Sequence, residues 1–189
     1  MDNITNSGLR SRKVLGVMHL VIAVIGVGMG VYVLSNAGAG SFSRLRNMVI
    51  DFGFEKVDQE VYDDTLAQLE KAHSISNMMG YMRIVLGLLL GAAGVFLLKG
   101  KSLGKQLTIG WSVARIVAAL VLAFLTVSAL NSFNETLSKM MEAATGKAFD
   151  GGMKTSKVWL QAIAGMIYPA LCLFLFFKKG SQQDRGEVE

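Results

Sequence analysis

Two long apolar runs, Ile84–Leu98 and Leu107–Leu130, are joined only by the basic turn Lys99-Gly-Lys-Ser-Leu-Gly-Lys105. No water-soluble surface accommodates such a pair. With a flanking turn, each run approaches the ~20 residues a helix needs to cross ~30 Å of hydrocarbon. Inside a bilayer every backbone N–H and C=O must be satisfied within its own segment, so these runs have to be helical. The stretch from Met82 to Leu130 therefore predicts a membrane hairpin, and the rest of the chain is read around it.

Two further runs flank the hairpin. Val14–Leu34 is apolar except for His19, follows Arg10, Arg12 and Lys13, and precedes Ala37-Gly-Ala39. That order imitates a secretory signal, but the run exceeds the ~7–15 residues of a signal core and is expected to be an uncleaved first span. Val158–Phe177 contains Pro169, which is expected to kink it, and ends at Lys178-Lys179. The expected spans are 14–34, 82–98, 107–130 and 158–177, with a polar tail at 180–189 expected to be disordered. The ends Val95-Phe-Leu-Leu-Lys-Gly and Phe174-Leu-Phe-Phe-Lys-Lys-Gly are alike, but so short a match does not establish a repeat.

Composition agrees with a membrane domain. Only 17% of the 189 residues are charged, against about 25% in soluble domains, while 52% are hydrophobic. The net charge of +5 raises the question of nucleic acid. The basic residues, however, gather at the ends of apolar runs and form no stripe interleaved with aromatics, so nucleic acid is not an expected partner. Cys172 is the single cysteine and lies within a span, which excludes an internal disulfide framework.

Topology follows from the Lys and Arg positions. Three stand in the N-terminal segment, three in the turn at Lys99, Lys101 and Lys105, and three after the last span. The longer segments 36–81 and 131–157 carry four each, spread over more residues. The positive-inside rule then places both termini and the turn in the cytoplasm. Between Val57 and Met79, Val61, Tyr62, Leu66, Leu69, Ala72, Ile75 and Met79 share one half of a helical wheel, with polar residues opposite. No breaker separates this helix from the second span, nor the third span from Ala144. The expected fold is an all-α integral membrane protein: a four-transmembrane-helix bundle with two helical extramembrane extensions (36–81 and 131–156) on the non-cytoplasmic side. Its expected setting is a bacterial cell membrane.

Each span carries a stripe of small or polar residues. The stripes are His19, Ala23, Gly26 and Gly30; Gly87, Gly91 and Gly94; Arg115, Ala119, Leu122, Thr126 and Ala129; and Gln161, Gly165, Pro169 and Cys172. In lipid, where helix pairing brings no hydrophobic gain, small residues at this spacing let backbones approach. Helix packing is therefore assigned to Gly26, Gly30, Gly87, Gly91, Gly94 and Gly165. His19 and Arg115 form a candidate intramembrane polar site, since ionisable groups inside spans are functional by default. The leading expectation for the pair is nevertheless structural, with Arg115 snorkelling to the cytoplasmic headgroups, shielded by Trp111 through a cation–π contact, and a neutral His19 hydrogen-bonding across a helix interface; an anion or headgroup site is the alternative. Trp111 is expected in the cytoplasmic aromatic belt, with Tyr32, Tyr81 and Trp159 in the outer one.

None of the 14 acidic residues lies in an apolar run, so no buried carboxylate is present for a coupling ion. No HExxH or CxxC occurs, and no cofactor, metal or catalytic residue is assigned. Outer-loop cysteines and a first-span glutamate, marks of known four-span families, are also missing. The leading expectation is a non-catalytic accessory or scaffold subunit, binding another membrane protein or itself in the bilayer. A small channel or facilitator for an uncharged or anionic solute stands second. The acidic face Glu60, Asp63 and Glu70 is the candidate partner surface.

Overall fold

In a computed structural model of the chain, residues 2–37, 47, 59–146 and 154–183 are described. They form four helices: α1 (Asp2–Ala37), α2 (Gln59–Leu98), α3 (Ser102–Thr145) and α4 (Ser156–Gln183). All four are long and apolar enough to cross a membrane. The unbroken α2 and α3 arise because nothing in either sequence stops a helix. At 40 and 44 residues they are about twice as long as a ~30 Å hydrocarbon layer requires. The segments 38–46, 48–58 and 147–153, most of the expected cap loops, lie outside the described residues.

Helix ends follow local chemistry. Gly100 adopts φ 70°, its N–H donates to the Leu97 carbonyl at 3.0 Å, and the Lys101 N–H donates to Phe96 at 3.0 Å. That pair of bonds closes α2 as a Schellman motif, in which a left-handed glycine follows the last helical residues. The turn is consequently shorter than the basic segment suggests, because Ser102–Lys105 already belong to α3. Gly146, at φ 72°, ends α3 with the simpler left-handed cap, a single bond from its N–H to the Glu142 carbonyl at 2.8 Å. At the termini the helices outrun expectation. α1 already begins at Asp2, and α4 runs through Pro169 and on to Gln183, so residues 180–183 are helical. Residues 184–189 are outside the description.

The chain divides into two compact units. One comprises Met1–Gly30, Met82–Ala119 and Ile163–Glu189; the other comprises Val31–Tyr81 and Leu120–Ala162. The first unit is built on Ala23, Leu86, Leu90, Trp111 and Ala118, with Ile22, Met82, Leu89 and Tyr168 packed around them. Here α1 and α2 run antiparallel at close range. A Cβ on Gly94 would stand 2.9 Å from the Gly16 carbonyl oxygen, and one on Gly87 would stand 2.8 Å from Val27 Cγ2 and 3.2 Å from the Ala23 carbonyl. Such proximity multiplies dispersion contacts, which individually are worth only ~0.1–0.2 kcal/mol. Val17, Val21, Val24, Leu88, Val117, Ile163, Ile167 and Leu171 point outward and exposed. A surface this apolar calls for lipid rather than water.

The second unit is a seam between α2 and α3. Tyr62 and Leu69 from α2 meet Phe133, Leu137 and Met140 from α3, with Val61, Leu66 and Met141 alongside. The spacings of seven on α2 and of four and three on α3 are those of one helical face. Of the apolar half expected for 57–79, Val61, Tyr62, Leu66 and Leu69 are thus packed in a cluster with α3, while residues 57–58 lie outside the described residues. Thr65 and Thr136 are buried in the seam and return their hydroxyls to the carbonyls of Val61 (2.7 Å) and Ser132 (3.1 Å).

Candidate functional site

Thr108, Trp111, Ser112 and Arg115 are spaced by three and four residues, so α3 presents them on one face of the first unit. Thr108 and Ser112 have no exposed surface, and Trp111 is 4% exposed. The Thr108 hydroxyl donates to the Gly104 carbonyl at 2.8 Å, which uses its single hydrogen. His19 Nε2 lies 3.0 Å from the same oxygen and must therefore be the donor. A neutral imidazole protonated at Nε2 accepts at Nδ1, and the Tyr168 hydroxyl donates there at 2.8 Å. The tautomer is assigned from this network. The result is a directional chain from Tyr168 through His19 and Thr108 to the Gly104 carbonyl, linking α4, α1 and α3.

Three rings enclose the chain. His19 and Tyr168 meet edge to face with centroids 5.8 Å apart, Trp111 and Tyr168 likewise at 6.0 Å, and His19 and Trp111 are tilted at 6.4 Å. Such edge contacts align a ring's positive rim with its neighbour's negative face. Trp111 is accordingly a buried core residue and not part of an interfacial belt. Tyr32, Tyr81 and Trp159 are exposed.

Two donors of this face have no partner: Trp111 Nε1 and the Ser112 hydroxyl are buried and unbonded among the described residues. One turn on, Arg115 is half-buried, with Nη2 3.5 Å from where a Cβ on Gly165 would sit. Tyr168 is level with Trp111, and Gly165 precedes it by three residues on the antiparallel α4. The guanidinium therefore reaches across the core to α4 instead of snorkelling back toward Gln106. It makes no ion pair and no cation–π contact with Trp111 among the described residues. Pro169, having no N–H, leaves the Gly165 carbonyl without its helical donor.

The assigned glycines divide into tight and loose contacts. Gly87 and Gly94 stand at the closest α1–α2 approaches. Gly91 would meet only Ala23 Cβ at 3.5 Å, and Gly26 has Gly87 Cα at 3.9 Å. Gly30 is buried, and Gly165 faces Arg115. Gly16 and Gly104, which the stripes omit, are also tight: a Cβ on Gly104 would fall 2.6 Å from the Leu97 nitrogen. Gln161, in contrast, is exposed and off the buried face. Glu60, Asp63 and Glu70 are all exposed on α2 in the second unit, where Asp63 accepts a hydrogen bond from Gln59 Nε2 at 3.0 Å.

Sequence reasoning singled out His19 and Arg115 but missed Thr108, Ser112 and Tyr168. The four-residue steps from Thr108 to Ser112, and from Trp111 to Arg115, were the available signal. As built, the face is a hydrogen-bonded clasp around His19, flanked by the unbonded Trp111 Nε1–H and Ser112 hydroxyl. Compared with known protein families, curated proteins and solved structures, the chain matches none.

Proposed function

We propose that this is a non-catalytic multi-pass protein of a bacterial cell membrane, acting as an accessory or scaffold subunit for another membrane protein or for a second copy of itself. Both termini and the Lys99–Lys101 turn face the cytoplasm, as the basic residues there favour. The overlong ends of α2 and α3 then project on the opposite side. The observation that carries this reading is how those ends spend their side chains. Tyr62 and Leu69 close against Phe133, Leu137 and Met140, so the apolar faces are consumed internally. Glu60, Asp63 and Glu70 remain exposed. Residues 59–81 and 131–145 together hold six carboxylates and two lysines, in a chain whose net charge is +5. A local acidic surface on a basic protein steers a basic partner segment and fixes its register.

The test is the double reversal Glu60→Lys with Asp63→Lys, purified from native membranes in mild detergent. The expected result is loss of the co-purifying partner with an unchanged detergent melt. Retention of every partner, with wild-type activity, overturns the reading. The second reading, a facilitator for an uncharged or anionic solute, is supported by the donor-rich face of α3; it predicts flux through the purified protein alone in liposomes.

A further inference from the structure

A guanidinium at membrane depth is costly unless an acceptor of opposite charge accompanies it. Among the described residues Arg115 has no acidic partner, and the 14 acidic residues of the sequence all lie outside the apolar runs. Arg115 ends beside Gly165, with Nη2 3.5 Å from where a Cβ would stand. Trp111 Nε1–H and the Ser112 hydroxyl, on the same face, are buried and unanswered. Indole and guanidinium nitrogens only donate, so Trp111 and Arg115 cannot answer each other, and the Ser112 hydroxyl, which could accept as well as donate, does neither. Gly165 contributes no side chain where the guanidinium ends, and Ile163 and Ile167 on the same helix are exposed and apolar.

We propose that this part of the core binds an oxyanion, the phosphate of an anionic phospholipid or a soluble phosphate of the same chemistry, held by the Arg115 guanidinium, the Ser112 hydroxyl and Trp111 Nε1–H beside Gly165. The anion supplies the missing charge and accepts from all three donors, in a medium where charge-assisted bonds are strong. The exposed isoleucines give acyl chains a surface to lie on, which favours the lipid source. The site is independent of the acidic surface on the second unit and holds whether or not the protein is a scaffold.

The test uses the full chain carrying Trp159→Phe, which leaves Trp111 as the only tryptophan. Delipidated protein in neutral detergent is titrated with phosphatidylglycerol, with phosphatidylcholine, and with inorganic phosphate, following Trp111 emission and the melting temperature. Saturable responses to phosphatidylglycerol but not to phosphatidylcholine are expected, and Arg115→Gln should weaken half-saturation by at least about tenfold. The same response to inorganic phosphate also supports the site and assigns it a soluble ligand. If Arg115→Gln does not fold, Ser112→Ala is read instead, with an expected weakening of about three- to tenfold. Absence of any response to phosphatidylglycerol and phosphate, or an unchanged response in the variant read, overturns the proposal.

Discussion

Removing the Tyr168 hydroxyl leaves His19 Nδ1 as a buried acceptor with nothing to accept from. Tyr168→Phe should therefore destabilise the protein by about 0.6–2 kcal/mol, the range for interhelical hydrogen bonds in membranes. Thr108→Val removes the acceptor for Nε2–H, and the two substitutions should be non-additive because both act through one imidazole. Detergent unfolding of the two singles and the double checks this; strict additivity breaks the chain of bonds inferred here. The glycines give a second residue-scale outcome. Gly94→Ala drives a methyl against the Gly16 carbonyl and should cost about 1–3 kcal/mol, whereas Gly91→Ala has room and should change stability by less than about 0.5 kcal/mol. Equal melts for the two would place the tight α1–α2 contact elsewhere. At this scale the sequence revealed candidates but not pairs. His19 is conspicuous as the one polar residue in its run, yet its partners lie 89 and 149 positions away. Which residues meet across helices depends on packing register, to which no local pattern answers. The same blindness misread Trp111, whose position near a span end resembles an interfacial anchor until α1 and α4 are packed over it.

Helices, by comparison, were readable almost end to end. Periodicity carried the 57–79 segment into the second span, and the absence of a breaker carried the third span to Gly146, where α3 stops. Charged and polar composition was a poorer guide at the termini, since residues 2–13 and 180–183 are polar yet helical. Polar side chains without a proline do not forbid a helix that is already propagating. Gly100→Ala isolates the conformational part of a stop signal. Nothing lies within 4 Å of the position a Cβ would take, so the cost is that of the left-handed backbone alone, about 1–2 kcal/mol in a melt. In the α2–α3 seam, Leu69 is 3% exposed, and Leu69→Ala should cost about 2–5 kcal/mol through lost packing and the cavity left behind. A wild-type melt for Leu69→Ala would mean that the seam contributes nothing to stability.

For the whole molecule, the exposed apolar surface of α1, α3 and α4 and the lengths of all four helices make a bilayer the natural solvent. The sidedness proposed for it rests on the clustering of Lys and Arg at the termini and the turn, and the proposed role of the acidic ends of α2 and α3 depends on that sidedness. Both are tested together by single cysteines placed in a Cys172→Ser background. Asp64 is exposed on the acidic stretch of α2, and Ser102 is exposed at the start of α3 beside the basic turn. With intact cells and a membrane-impermeant thiol reagent, Asp64→Cys should label at once and Ser102→Cys only after permeabilisation. Labelling of Ser102→Cys from outside, with Asp64→Cys protected until the membrane is opened, would contradict the proposed orientation and remove the acidic stretch from the non-cytoplasmic face.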